Sequence, residues 1–174
     1  RSLMDDYANF WTVTGDALDF ALAAVDIRDA AIRGKLLNAY LTLDAYPEVP
    51  AMLETLKSAG IRTAILSNGS PEMLKAAVNG AGLDGPLDAT LSVEEVGIYK
   101  PHGSVYQLAV DSLGVAAERI NFQSSNSWDA TGAAHFGFRV AWCNLFGQPE
   151  EQLPAKPDMQ IKSLAELPPL LGIE

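Results

Sequence analysis

Cysteine and histidine are both scarce in this sequence. The single cysteine, Cys143, excludes an intramolecular disulfide and a cysteine-based zinc site, and it is typical of a protein from a reducing compartment. With only His102 and His135, a histidine-rich metal site is not expected either. We therefore expect a cytoplasmic protein that carries no metal ion and no other cofactor.

Positive charge and long apolar runs are also lacking. Twelve Lys and Arg against 22 Asp and Glu give a formal net charge of −10 at pH 7, and the isoelectric point is about 4.5. The basic residues are scattered singly, so there is no positive face for nucleic acid and no attraction to acidic lipids. No stretch approaches the ~20 consecutive apolar residues of a helical membrane span. Neither nucleic acid nor a membrane is expected as a partner.

Apolar residues are abundant, and their spacing divides the sequence into two parts. Hydrophobic residues make up 48% of the 174 residues, enough for one domain with a sizeable core and a small appendage. In residues 1–45 they recur at helical spacing and predict a helical subdomain. The residues that carry this spacing are Leu3, Tyr7, Phe10, Trp11, Leu18, Leu22, Val25, Ile32, Leu36, Leu37, Tyr40 and Leu41.

Residues 46–174 alternate between helical patterns and short apolar runs. The runs, which predict buried parallel strands, cover residues 61–66, 89–93, 120–123, 138–142 and 160–161. Helical patterns connect them, with Ser70 before Pro71 as one helix start and Gly114 as one helix end. This alternation predicts an α/β fold, with a Rossmann-like parallel sheet that has helices on both faces.

Polar residues gather after three of the predicted strands, each time where a helix begins. The segments are 67–70 (Ser-Asn-Gly-Ser), 97–101 (Gly-Ile-Tyr-Lys-Pro) and 124–129 (Ser-Ser-Asn-Ser-Trp-Asp). Ligands bind at the carboxyl ends of the strands in open α/β sheets, and helix N-termini favour anions. We therefore expect the three segments to form one crevice that binds a small anion.

Each segment also has a purely structural explanation. Residues 67–70 could form only a turn and a helix cap, and Lys100 could be an ordinary solvated lysine. Asp129 could serve only the dipole of its helix, and Trp128 could be a packing residue. The occurrence of such segments at three strand ends favours a shared site over these separate explanations.

Motifs in these segments resemble a known family. Residues 66–70 (LSNGS), 99–101 (YKP) and 124–133 (SSNSWDATGA) are similar to three of the four motifs of the haloacid dehalogenase superfamily. The third block, with its tryptophan and paired serines, resembles specifically the L-2-haloacid dehalogenases. The opening residues 1–10 resemble the helical cap of those enzymes. The resemblance covers essentially the whole chain and implies a haloacid dehalogenase-like α/β core with a helical cap subdomain.

The resemblance implies hydrolytic dehalogenation of short L-2-haloalkanoic acids to 2-hydroxyalkanoic acids. In the family an aspartate displaces the halide from the carbon beside the substrate carboxylate, and water then hydrolyses the resulting ester. By similarity, the catalytic residues are Lys100, Tyr106, Ser124, Asn126 and Asp129. The residues implied to bind the substrate are Ser67 and Asn68 at its carboxylate, with Phe10 and Trp128 around its alkyl group. Family members with this cap commonly form homodimers, which we expect here as well.

A magnesium-dependent phosphatase of the same superfamily is the first alternative. Such enzymes usually present several carboxylates at the third motif, because Mg²⁺ prefers anionic oxygen ligands. Here that strand end offers Ser124 and Ser125, and Asp129 is its only acidic residue. The residue types therefore favour a metal-independent displacement.

The nucleophile motif of the family is missing from the sequence. It is an Asp-x-x-Gly-Thr-like motif on the first strand of the sheet, and no such motif occurs in the 174 residues. We therefore expect a cap subdomain, residues 1–45, that is N-terminally incomplete, and a core domain, residues 46–174, that lacks its first strand. Exposed edges beside a missing central strand favour a longer working protein, with the nucleophilic aspartate upstream. A catalytically inactive, truncated relative that binds small anions is the second alternative.

Overall fold

A computed structural model describes residues 1–173, in which helices and strands alternate from residue 49 to residue 143. The helices are α1 (Phe10–Ala24), α2 (Ala30–Asn38), α3 (Val49–Ser58), α4 (Pro71–Gly80), α5 (Gly103–Leu113), α6 (Ser127–Phe136) and α7 (Leu167–Leu170). The strands are β1 (Ala64–Ser67), β2 (Ala89–Ser92), β3 (Asn121–Ser124), β4 (Arg139–Cys143) and β5 (Met159–Ile161). Short 3₁₀ turns lie at Ser2–Met4, Ala39–Leu41, Val93–Glu95, Ala117–Arg119 and Leu164–Glu166.

The first α-helix begins later than the apolar spacing predicts. Asn9 caps α1, because its Oδ1 accepts a hydrogen bond from the Thr12 N–H at 2.8 Å. Between the 3₁₀ turn Ser2–Met4 and this cap, the chain is not helical. The prediction of a helical stretch from Leu3 through Trp11 is therefore wrong at its start, since the cap makes Phe10 the first helical residue.

The five strands form two parallel sheets. β1 pairs with β2, so that Ser67 lies opposite Ser92. β3, β4 and β5 form the second sheet, with β4 in the middle. Within residues 1–173, β1 and β3 each have one strand neighbour, and each therefore has one unpaired edge. The predicted α/β class with parallel strands is confirmed, but the strands are divided between two sheets.

One hydrophobic core joins the two sheets. Its buried residues are Leu91, Tyr106, Ala109, Ala130, Ala133, Phe138, Val140 and Trp142, and partly buried Leu66 of β1 and Phe122 of β3 pack against them. Tyr106 has no exposed surface, and its ring centroid lies 5.7 to 6.0 Å from those of Phe122, Phe136 and Phe138. Because aromatic rings at these separations attract one another, they hold α5 against β3 and α6.

The helical region at the start of the chain is less completely packed. Leu22 of α1 and Leu37 of α2 are buried, whereas Phe20 is 77% exposed and Leu36 is 46% exposed. A bidentate ion pair links the two helices, since Arg33 donates to both carboxylate oxygens of Asp19. Large apolar side chains on the surface of two neighbouring helices are a feature of protein interaction surfaces.

No helix within residues 1–173 is long and apolar enough to cross a lipid bilayer.

Gly114 provides a test of the fold. It closes α5 in the left-handed conformation (φ +63°), and an added Cβ would meet no atom within 4 Å. Gly114→Ala should therefore lower the free energy of unfolding by about 1 kcal/mol, through backbone strain alone. Gly80, the last residue of α4, has equally open surroundings but no positive φ, so Gly80→Ala should raise it by up to about 1 kcal/mol. Urea unfolding measures both changes, and a change of the same sign would contradict the expected end of α5.

Candidate active site

Lys100 and Asp129 form a buried ion pair beyond the carboxyl ends of the strands. The Lys100 Nζ lies 3.0 Å from Asp129 Oδ2, and the two side chains are 7% and 6% exposed. Tyr106 donates its hydroxyl to the other carboxylate oxygen, Oδ1, at 2.9 Å. Both oxygens are thus engaged, as a buried carboxylate requires. Three residues implied to be catalytic therefore belong to one hydrogen-bonded network.

Burial changes the proton affinities of this network. Desolvation lowers the pKa of Lys100 below its usual value, and the charge of Asp129 opposes part of that change. The Phe122 ring attracts the ammonium group, whose Nζ lies 4.9 Å from the ring centroid. Burial raises the pKa of Tyr106, and the charge of Asp129 raises it further, so the Tyr106 hydroxyl remains a donor. The outcome is a shielded cation at the strand ends, which is suited to binding an anion.

Hydrogen bonds tie both the Lys100 loop and the end of β2 to the turn that follows β1. The Lys100 N–H donates to Asn68 Oδ1 at 3.2 Å, directly after β1. Ser92, the last residue of β2, donates its hydroxyl to the Gly69 carbonyl at 2.7 Å and accepts the Glu94 N–H at 3.2 Å. The segments at residues 67–70 and 97–101 are therefore in direct contact, as the prediction of a shared crevice requires.

Gly132 allows α6 to approach this loop closely. A Cβ at this position would lie 2.5 Å from the Pro101 Cβ and 2.6 Å from the Tyr106 hydroxyl oxygen, closer than real side chains come. Asp129 is in the first turn of the same helix. The missing side chain of Gly132 therefore lets α6 bring the Asp129 carboxylate to Lys100 and Tyr106.

Ser67, Ser124 and Asn126 lie at the strand ends, where their bonds are local. Ser67 Oγ accepts the Gly69 N–H at 3.1 Å, and Ser124 Oγ accepts the Asn126 N–H at 3.3 Å. Asn126 precedes α6 as its N-cap residue, but its side chain makes no capping bond. Turns thus fix these residues at the strand ends, and their roles in catalysis and substrate binding stay predictions.

The two predicted apolar contacts of the substrate lie on different elements. Phe10 opens α1, and its ring centroid is 6.2 Å from that of Tyr99, the residue before Lys100. Trp128 is in the first turn of α6 beside Asp129 and is 41% exposed. The contact of both rings with a substrate stays a prediction.

Ser92, Phe122 and Gly132 contribute to the site, although the sequence assigned no role to any of them. Ser92 ends β2 as Ser67 ends β1. The presence of a serine near the end of both apolar runs could therefore have indicated Ser92 as a site residue. Phe122 lies in a predicted strand, but the face on which it lies follows from the packing of α5. Gly132 is important because a helix passes close to a distant loop, and no local sequence pattern predicts that approach.

The donor groups of the site fit a metal ion poorly. Among residues 1–173, no cluster of three or more His, Cys, Asp or Glu side chains is placed to hold one. Lys100 and Tyr106 each donate to one oxygen of Asp129, so a cation at this carboxylate would lie beside the ammonium group and be repelled by it.

Comparison with known proteins defines the class of this protein. Residues 4–137 match the haloacid dehalogenase-like hydrolase family. Since this match spans most of the chain, the protein belongs to this family of hydrolases.

Individual relatives indicate which hydrolases of this family the protein is similar to. The (S)-2-haloacid dehalogenase 4A of Burkholderia cepacia is 46% identical over 173 residues, which cover 99% of this chain and 75% of that protein. A crystal structure of a dehalogenase has a TM-score of 0.96 at 46% identity, over 100% of this chain and 77% of that one. The L-2-haloacid dehalogenase from Xanthobacter autotrophicus, with chloropropionic acid covalently bound, has a TM-score of 0.92 at 35% identity, over 99% and 79% of the two chains. The resemblance to L-2-haloacid dehalogenases is thereby confirmed.

Asp129→Asn tests the electrostatics of the ion pair. Because the Asp129 charge raises the pKa of Lys100 against desolvation, its removal should lower that pKa further. The folded pKa lies below the unfolded one, so the free energy of unfolding rises with pH between the two values, and this window should extend to lower pH in the variant. The lysine ¹³Cε chemical shift, followed against pH by NMR, measures the pKa. Exposed Asp111→Asn is the control, and an unchanged Lys100 titration in Asp129→Asn would refute the coupling.

Gly132→Ala tests the close approach of α6. The new methyl group would collide with Pro101 and Tyr106, so it should reduce the free energy of unfolding by about 1–3 kcal/mol and weaken the bond from Tyr106 to Asp129. Gly103→Ala is the matched control, because a Cβ there would make an ordinary 3.7 Å contact with Phe136. Urea unfolding gives the two energies. Equal stability of both variants would show that α6 does not approach the loop in this way.

Proposed function

We propose that this protein hydrolyses short (S)-2-haloalkanoic acids to 2-hydroxyalkanoic acids and releases halide. The observation that carries the proposal is the buried pair of Lys100 and Asp129, completed by Tyr106, beyond the strand ends. A fixed cation with little access to water is suited to an anionic substrate and a carboxylate nucleophile. Relatives named (S)-2-haloacid dehalogenase, and one solved with chloropropionic acid covalently bound, support the same chemistry.

The nucleophile in this proposal is an aspartate on a strand between β1 and β3. Each of these strands has one unpaired edge within residues 1–173, and one hydrophobic core extends from β1 to β3. Lys100 contacts both sides, since its N–H binds Asn68 after β1 and its Nζ lies over Phe122 of β3. A strand paired with both edges would end beside the ammonium group, and a segment upstream of Arg1 supplies it.

The reaction proceeds through an aspartyl ester. One aspartate oxygen forms a bond to C2 of the substrate while the carbon–halogen bond breaks, and the halide leaves with the bonding electrons. Attack from the side opposite the halogen inverts C2. Water then adds to the ester carbonyl carbon, the bond from that carbon to the ester oxygen on C2 breaks, and the carboxylate is restored with the oxygen of the water. One proton of the water stays on the 2-hydroxy acid, and the other goes to the medium.

Four residues bind the substrate. The hydroxyl of Ser67 and the amide of Asn68 hold its carboxylate at the end of β1, beside the Lys100 loop. The rings of Phe10 and Trp128 contact the alkyl group and keep water away from it. Small pockets of this kind, with apolar walls and few polar groups, orient a substrate for attack.

The remaining polar residues act on the nucleophile and the water. Lys100 offsets the negative charge of the substrate and of the attacking carboxylate. Asp129 and Tyr106 hold the ammonium group in place, and Ser124 and Asn126 position the hydrolytic water. In this arrangement the lysine supplies the positive charge that a metal ion supplies in other hydrolases, so the reaction is metal-independent.

Residues 1–45 form a cap over the core domain 46–174, and the protein acts as a cytoplasmic homodimer. The exposed apolar side chains of Phe20, Ile32 and Leu36 support a contact of the helical region with a second copy. The net charge of −10 at pH 7 is a reason not to expect nucleic acid or acidic membranes as partners.

The test is chloride release by the intact protein from (S)- and (R)-2-chloropropanoate, in excess chelator. We expect release from the S enantiomer alone, with (R)-lactate as the product, because attack inverts C2. Lys100→Ala should reduce kcat about 100-fold or more, since a charge-stabilising group at the reacting centre is lost. The matched control is Lys75→Ala on the exposed face of α4, which should keep the parent rate.

Other outcomes would replace the proposal. Phosphate release from a phosphomonoester that depends on added Mg²⁺, without halide release, would identify a magnesium-dependent phosphatase. Binding of small carboxylates without turnover would identify an inactive relative. A parent rate in Lys100→Ala would contradict the role of the ion pair.

A further inference from the structure

Tyr99 joins the loop that carries Lys100 to the first residues of the chain. Its hydroxyl donates a hydrogen bond to the Ala8 carbonyl at 2.5 Å, and its backbone N–H donates to Ser2 Oγ at 3.3 Å. Both partners are more than 90 residues away in sequence. Tyr99 therefore contacts the helical region through its side chain and its backbone.

The aromatic ring of Tyr99 makes a second set of contacts with the same segment. Its centroid lies 5.5 Å from that of Tyr7, with the rings tilted by 31°, and 6.2 Å from that of Phe10, edge to face. Phe10 is the first residue of α1, and Ala8 lies immediately before the capping residue Asn9. The hydroxyl and the ring of Tyr99 thus hold the start of α1 by a hydrogen bond and by aromatic packing.

The next residue, Lys100, is bonded to the core. The Lys100 N–H binds Asn68 after β1, and its Nζ binds Asp129 at the start of α6. Two consecutive residues therefore connect two parts of the molecule, Tyr99 to the helical region and Lys100 to the core. A displacement of α1 would reach Lys100 through a single peptide bond.

We propose that Tyr99 is a positioning residue that sets the place of Phe10 relative to the ammonium group of Lys100. The inference rests on the proposed function, in which Phe10 contacts the alkyl group of the substrate and Lys100 balances the carboxylates. With α1 held in place, both ends of a short substrate meet preformed partners, which reduces the entropy lost on binding. Tyr99 acts through Phe10 and the loop.

The surroundings of Tyr99 keep its hydroxyl in the form that donates. Burial raises the pKa of Tyr99, and the nearby charge of Glu94 raises it further. The same two causes, together with Tyr99, raise the pKa of Tyr7 to about 12. Both hydroxyls are therefore protonated near neutral pH, and the bond from Tyr99 to Ala8 is retained.

The experiment compares Tyr99→Phe with Tyr46→Phe in the intact protein. Tyr99→Phe keeps the ring and loses the hydroxyl, with its bond to Ala8 and its contact with the Tyr7 hydroxyl. Both partners lie just before α1, so KM for (S)-2-chloropropanoate should rise about five-fold, while kcat stays within about two-fold. Amide hydrogen exchange in residues 10–13 should become faster at the same time. Tyr46 is 52% exposed and outside the Tyr99 contacts, and its variant should match the parent in all three measurements.

The two readouts separate this inference from the proposed function. If the parent releases no halide, the proposed function fails, and the exchange rates alone decide whether Tyr99 holds the start of α1. Unchanged exchange in Tyr99→Phe would overturn the inference. Faster exchange with an unchanged KM would overturn it as well, because α1 would then be held without any effect on the substrate. A fall in kcat together with a lower free energy of unfolding would also overturn the inference, because Tyr99 would then be a purely structural residue.

Discussion

The buried ion pair between Lys100 and Asp129 is the interaction on which the arrangement of the site depends. Each charge loses several kcal/mol of hydration when it leaves water, and only well-placed partners recover that loss. Here the carboxylate is bound by an ammonium group and by the Tyr106 hydroxyl, and the ammonium group also lies over Phe122. The aromatic packing of Tyr106 and the absence of a side chain at Gly132 both serve to bring these groups together. The close packing of the hydrophobic core thereby also fixes the positions of the polar groups of the site.

The division of the strands into two sheets gives this network its position. Within the described residues 1–173, β1 and β3 present unpaired edges, and the residues beyond their carboxyl ends are linked through Lys100. In parallel α/β sheets a ligand binds where neighbouring strand ends separate and leave a crevice. The protein belongs to the haloacid dehalogenase-like hydrolases. The strand that we propose to carry the nucleophile would pair with both edges and end at this crevice.

Local patterns predicted much of the fold but fewer of the contacts. Periodicity located the core helices and strands, and the polar segments after the strands located Lys100 and Asp129. The start of α1 was missed because the Asn9 cap outweighs the helical spacing of Leu3. The bonds of Tyr99 and the close approach at Gly132 connect residues 26 to 97 positions apart. Such contacts depend on the packed fold, which no short-range pattern encodes. The resemblance to a family supplied the expectation that Lys100 and Asp129 are catalytic residues, which composition and spacing alone left open.

A single turnover of the intact protein in H₂¹⁸O tests the central claim most directly. If an aspartate on a strand between β1 and β3 displaces the halide, water attacks the ester carbonyl, and the label enters that aspartate while the first 2-hydroxy acid released is unlabelled. Mass spectrometry of peptides from the protein would then find ¹⁸O in one aspartate from the strand that pairs with both edges. Label found in the product of the first turnover, with none in the protein, would mean that water attacks C2 directly and would contradict the account.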